Sequence, residues 1–137
     1  MSHVRTQIRT AVIGLLTGLT TTGARVFASR MRPQTADALP CLLVTTADED
    51  IAPTSALSGA LDRTLQLVIR GFAAGATCDG TLDQIAAEVE TVLMPEGYVL
   101  RRIETDFDDE LEKPIGEIRL TFEILYFTPA GNPGVSA

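Results

Sequence analysis

The chain has no tryptophan, one histidine, one lysine (Lys113) and two cysteines among its 137 residues. Each shortage removes a class of chemistry. Cys41 sits in an apolar stretch and Cys78 lies thirty-seven residues further on, without C-x-x-C spacing, so neither a zinc site nor a disulfide scaffold is indicated. Both read as reduced thiols of a cytoplasmic protein, Cys41 as a small hydrophobe in a strand and Cys78 in a loop. His3 is the only imidazole that a Ser-His-Asp or Cys-His arrangement could recruit, and it lies near a terminus expected to fray. Gly71, Gly75 and Gly80 lack the spacing of a phosphate-binding loop, and no Gly-Lys-Ser/Thr follows them. They are expected to be turn residues. Long apolar runs are missing too. The longest, Ala11 to Leu16 and Leu39 to Val44, fall far short of the ~20 residues of a membrane span. No export signal is recognisable at the start.

What is present suits one domain, with a core large enough to bury roughly two thirds of the unfolded chain's surface. The mean hydropathy is slightly positive, at +0.19. In a soluble chain that points either to surface buried later in an oligomer or to a well-filled monomeric core. The net charge of −7 is unevenly spread. Residues 1–46 carry five arginines and one acid, Asp37, a balance of +4. Residues 47–137 carry seventeen acids and six bases, a balance of −11. Copies so divided can join head to tail, although folding can also mix the charges over one surface. The acidic total argues against a nucleic-acid-binding face.

Periodicity predicts an α+β fold: a mixed or mainly antiparallel sheet of about four to five strands packed against two helices. The first helix spans Val4 to Leu19, with Val4, Ile8, Val12, Leu15, Leu16 and Leu19 on its apolar stripe. Gly14 and Gly18 flank the stripe beside Ala11, as tolerated glycines or as a place of close backbone approach. Ile13 points away from the stripe and is expected to be exposed, which makes it an interface candidate. Strands are predicted over Ala24 to Arg30 and over Cys41 to Thr46. The second lacks alternation, as a central strand covered on both faces would. A loop with Pro33 separates them. Asp48 to Gly59 reads as polar and turn-rich. From Arg63 to Phe72 the pattern alternates, with Leu65, Leu67 and Ile69 inward and Thr64, Gln66 and Arg70 outward.

The second helix is announced by Thr81-Leu-Asp-Gln84, a capping box, and is stopped by Pro95-Glu-Gly97. Leu82, Ile85, Val89, Val92 and Leu93 form its buried stripe. Tyr98 to Thr105 is a strand, and Gly116 to Phe127 is a long one with Ile118, Leu120, Phe122, Ile124 and Tyr126 on one face. The domain is expected to end near residue 128, leaving 129–137, rich in Gly and Pro, as a loose tail.

Between the last two strands, Asp106, Asp108, Asp109, Glu110 and Glu112 make an acidic loop. Three roles compete for it. One is a solvated hairpin tip, another a charged contact with a neighbouring subunit, and the third a set of oxygen ligands for Mg²⁺ or Ca²⁺ in a metal-dependent enzyme. The calcium-loop pattern is absent, and Lys113 is adjacent to Glu112 rather than placed to serve a metal nuclease. No catalytic, cofactor-binding or metal residue is therefore nominated, and no enzyme activity is expected.

The order of elements resembles the tail terminators of long-tailed bacteriophages, the lambda-type minor tail protein U family. The resemblance covers roughly residues 4 to 127. It rests on Gly-Ala-Arg-Val-Phe after the first helix, Leu-Pro-Cys-Leu-Leu-Val, the second helix, and the stretch Tyr98 to Tyr126 with paired arginines, an acidic turn and Leu-Thr-Phe-Glu-Ile-Leu-Tyr. The resemblance implies a hexameric ring without cofactor or catalysis. Such a ring caps the tail tube, stops its polymerisation and offers a surface for head joining. Its partners would be further copies of itself, the major tail tube protein and head–tail connector or head-completion proteins. DNA would pass through without specific binding, and no membrane is involved. The location implied is the head-proximal end of the virion tail, after assembly in the host cytoplasm. A tail-completion or neck protein is the neighbouring alternative. Interface candidates from charge and exposure are Arg5, Arg9, Ile13, Arg25, Arg30, Arg32 and the five acids of the loop.

Overall fold

The computed structural model describes residues 3–28, 39–53, 60–75, 78–108 and 115–129. Two helices, α1 (Val4–Leu16) and α2 (Cys78–Leu93), pack on one face of a five-stranded sheet. The strands are β1 (Val26–Phe27), β2 (Cys41–Pro53), β3 (Ala60–Ala74), β4 (Val99–Asp108) and β5 (Ile115–Pro129). Their order is β1-β2-β3-β5-β4, with β1 parallel to β2 and every other pair antiparallel. This is the α+β architecture that the periodicities predict.

Alternation along β3 and β5 builds the core. Leu65, Leu67 and Ile69 of β3 face the helices beside Ile118, Leu120, Phe122, Ile124 and Tyr126 of β5, and all are buried. Against them α2 lays Leu82, Ile85, Val89 and Leu93. Val92 is only partly buried. Burying each such side chain contributes about 1.5–3 kcal/mol. Two glycines let the layers close. A Cβ on Gly71 would meet Ile85 Cγ2 at 2.8 Å, and one on Gly116 would meet Leu82 Cδ1 at 2.9 Å. Cys41 to Thr46 of β2 is buried on both faces, as its unbroken apolar run predicts. Beyond the helical face, Cys41, Leu43 and Phe72 form a second small cluster with Leu39 and Ile115.

Several boundaries differ from those read in the sequence. The first helix ends at Leu16, because Gly18 turns to φ +96° and Leu19 bridges back to Gly23. The adjoining strand shrinks to Val26–Phe27. Ile13 is partly buried against the core and Leu15 is exposed, the reverse of expectation. The cause is electrostatic. Arg5 and Arg9 lie on the same flank of α1 as Ile13, and both donate to the sheet, which rolls that flank inward.

Asp48, Glu49 and Asp50 belong to β2 rather than to a turn, accommodated by an irregular register between Thr46 and Glu49. Asp106 and Asp108 likewise extend β4, and Thr128 and Pro129 extend β5. Cys78 opens α2 instead of lying in a loop, so Thr81 stands inside the first turn and is not its cap. Gly71 is a strand residue and Gly80 a helical one; only Gly75, at φ +104°, serves as a turn glycine.

Candidate functional site

At the N-terminal end of α1, polar side chains converge on one carboxylate. Glu49 Oε1 accepts from Tyr126 Oη at 2.7 Å and from Arg63 Nη1 at 3.1 Å, and Glu49 Oε2 pairs with Arg5 Nε at 3.5 Å. Arg5 also donates to the Ala47 carbonyl at 3.0 Å, and Arg9 donates to Thr46 Oγ1 at 3.1 Å. His3 caps the helix, its Nδ1 accepting from the Arg5 N–H at 3.0 Å. An open cavity of about 560 Å³ lies over this cluster, lined by His3, Arg5, Ala47, Asp48, Glu49, Ile51 and Arg63. Burial first, then the Glu49 carboxylate to which it donates, pushes the Tyr126 phenol up to about 12 against the opposing effect of Arg63. With one oxygen hydrogen-bonded by Tyr126 and Arg63 and the other ion-paired with Arg5, Glu49 works as a clasp between α1 and the sheet.

A second buried carboxylate lies on the opposite face of the sheet. Glu117 Oε1 accepts from Arg70 Nε at 2.8 Å and Nη2 at 2.5 Å, while its Oε2 accepts from Arg119 Nη2 at 2.9 Å. The Arg70 guanidinium also stands 5.2 Å from the centre of the Phe72 ring. Helix α2 is tied to the turn after α1 by Glu88, which accepts from both the Thr21 N–H, at 3.0 Å, and the Thr21 hydroxyl. Burial raises the Glu88 pKa, but hydrogen bonds from Thr21, Gln84 and Thr20 outweigh it and leave that carboxyl lowered. Among the described residues no three His, Cys, Asp or Glu side chains converge to hold a metal ion.

Most of the exposed large apolar side chains lie on β2, β4 and β5, with Leu15, Phe27 and Met94 elsewhere. Leu125 and Phe127 are exposed on the face of β5 away from the helices, whereas Ile51, opposite Arg63 on the helical face, is exposed beside the Glu49 cavity. Val99, Ile103 and Phe107 line β4, which α2 does not cover because it sits over β3 and β5.

The charged interface candidates separate. Arg5 is engaged in the Glu49 clasp, Arg9 donates to Thr46 Oγ1, and Arg25 donates to the Pro40 carbonyl at 2.7 Å and to the Thr21 carbonyl at 3.4 Å. Ile13 is in the core margin. Asp106 is exposed on β4, and Asp108 is placed by its backbone in the same strand. Arg30, Arg32, Asp109, Glu110 and Glu112 lie outside the described residues. Sequence reasoning missed Glu49 and Glu117 as clasps. Glu117 stands at an outward position of the alternating run, next to the inward Ile118, where an acid reads as solvated.

No protein-family model matches the chain, and no curated protein matches it. Among solved structures, the chain is similar to one from the "Virion of native gene transfer agent (GTA) particle". The two are 18% identical over 89% of this chain and 92% of that one, with a TM-score of 0.43. Among the described residues no helix is long and apolar enough to cross a membrane.

Proposed function

We propose that this protein is a structural component of a phage-like virion, a tail terminator. In this role it assembles as a ring, caps the tail tube and forms the surface to which the head joins. The observation that carries the reading is the placement of its exposed apolar side chains. Most of them lie on β2, β4 and β5, β4 being a sheet edge, while the core beneath is fully packed. Exposed apolar patches of this kind mark surfaces buried by partners. The resemblance of the sequence to lambda-type minor tail protein U supplies the partners: further copies, the tube protein and a connector. No catalysis enters the mechanism. Shape and charge bind the cap to the tube end, and an acidic protein suits a channel through which DNA slides without sticking.

Deleting the gene should leave heads intact and tails unjoined, with many tubes longer than normal by negative-stain microscopy. Unjoined tails of uniform normal length would instead mark a tail-completion or connector protein and sink the terminator reading.

A further inference from the structure

The only histidine of the chain is built into the first turn of α1. His3 Nδ1 accepts from the Arg5 N–H at 3.0 Å, and the His3 carbonyl accepts from the Thr6 and Gln7 N–H groups at 2.9 and 3.2 Å. A ring nitrogen accepts only while it carries no proton. The cap therefore belongs to the neutral imidazole, with its hydrogen on Nε2. An imidazolium has a donor on each nitrogen and no acceptor. Protonation of His3 sets two N–H groups against one another. It also adds a positive charge at the helix end where the backbone dipole is already positive.

The surroundings decide where a charged ring goes. Arg5 of α1, Asp48 and Glu49 of β2 and Arg63 of β3 line the same cavity as His3. Tyr126 of β5 reaches the cluster through Glu49. The Glu49 carboxylate is 5% exposed and already holds Tyr126, Arg63 and Arg5. Asp48 is exposed, so an imidazolium can reach its carboxylate without breaking the clasp. Arg5 is the residue that cap and clasp share. Its N–H goes to His3, while its guanidinium goes to the Ala47 carbonyl and to Glu49.

We infer that His3 is a proton-operated latch on the start of α1. Neutral, it holds the Arg5 N–H and closes the first turn. Protonated, it releases that N–H and turns into the cavity toward Asp48. The Glu49 clasp keeps α1 on the sheet in both states, so the change is confined to the first turn. The latch works between pH 5 and 8, where histidines ordinarily change charge. It stands independently of the ring reading above.

The test is nuclear magnetic resonance on the ¹⁵N-labelled full chain, titrated from pH 8 to pH 5. At pH 8 the imidazole nitrogen shifts should show the proton on Nε2; the opposite tautomer would overturn the latch. On acidification the Arg5 amide resonance should move together with the imidazole. Its hydrogen exchange, corrected for the intrinsic pH dependence, should become about fivefold faster, the factor carried by one N-cap hydrogen bond. The Val12 amide should stay as it was, and a matching change there would mean general loosening rather than a latch. His3→Asn keeps a capping oxygen that accepts at every pH, so its Arg5 amide should not respond. An equal response in His3→Asn would assign the effect to Asp48 or Glu49 and overturn the inference. So would an Arg5 amide that ignores pH in the parent. Contacts of the imidazole protons with Ala47 and Ile51 should appear at pH 5, and their absence would refute the turn into the cavity.

Discussion

Arg70 and Arg119 stand directly opposite one another on β3 and β5, and the single carboxylate of Glu117 holds both. Like charges facing each other across a ladder destabilise a sheet, so the pair depends on the anion between them. Glu117 is buried, whereas Arg119 is partly open to solvent, which screens its share.

Removing that anion should be costly. Glu117→Ala leaves two arginines face to face and is expected to lose about 2–3 kcal/mol, the scale of hydrogen bonds to charged groups. Urea unfolding of Glu117→Ala, Arg119→Ala and the double variant provides a cycle. Strict additivity would show that the bridge contributes nothing.

High pH should loosen the fold. Burial holds the Cys41 thiol up at about 11 from its ordinary 9.0, and Tyr126 is raised to about 12 from 10.0. Both groups bind their protons more tightly when folded. Their contribution is complete below about pH 9 and is lost as pH rises through 11 and 12. Unfolding midpoints should therefore fall between pH 9 and 11.5, and Tyr126→Phe should flatten the upper part of that decline. A midpoint constant over this range would contradict the burial of both groups.

The acid side depends on Glu88. Its carboxyl is lowered in the fold, so its contribution is present above the ordinary value of 4.5 and disappears as pH falls below it. Glu88→Gln should reduce the pH dependence of stability in that range. Thr21→Ala should cost about 1 kcal/mol at neutral pH, the usual worth of a lost hydrogen bond. Equal acid sensitivity of Glu88→Gln and the parent would show that the Thr21 contacts do not form.

Gly71→Ala tests the closeness of α2 to the sheet. Its added methyl group meets a branched carbon of Ile85 that has little room to move, so a loss of about 1–3 kcal/mol is expected. Gly14, where a Cβ meets nothing within 4 Å, should instead tolerate alanine or gain from it. The difference between the two melting temperatures is the measurement.

The core was legible because its signal is periodic. Leu65, Leu67 and Ile69 recur every second residue, and Ile85, Val89 and Leu93 every fourth, so their buried faces follow from spacing alone. The polar clasps were not legible. Glu49 and its neighbours Asp48 and Asp50 read as a turn, since local composition cannot show that Arg63 and Tyr126 stand across the sheet to receive the carboxylate. The roll of α1 was hidden for the same reason. It depends on Arg5 and Arg9 reaching Thr46 and Ala47, some forty positions along the chain. The division of charge between the two parts of the sequence does not survive folding, because β2 sets Asp48, Glu49 and Asp50 beside the arginines of α1.

The position of β5 has a consequence for how the protein comes into being. Strand β5, the last among the described residues, lies between β3 and β4, and all fifteen residues of β3, Ala60–Ala74, pair with it. Until residue 129 emerges, β4 has no neighbour and α2 has only half of its floor. Closure of so distant a pairing makes folding slow compared with the local hairpin of β2 and β3. A chain cut before β5 therefore leaves β4 unpaired and the inner side of α2 partly uncovered.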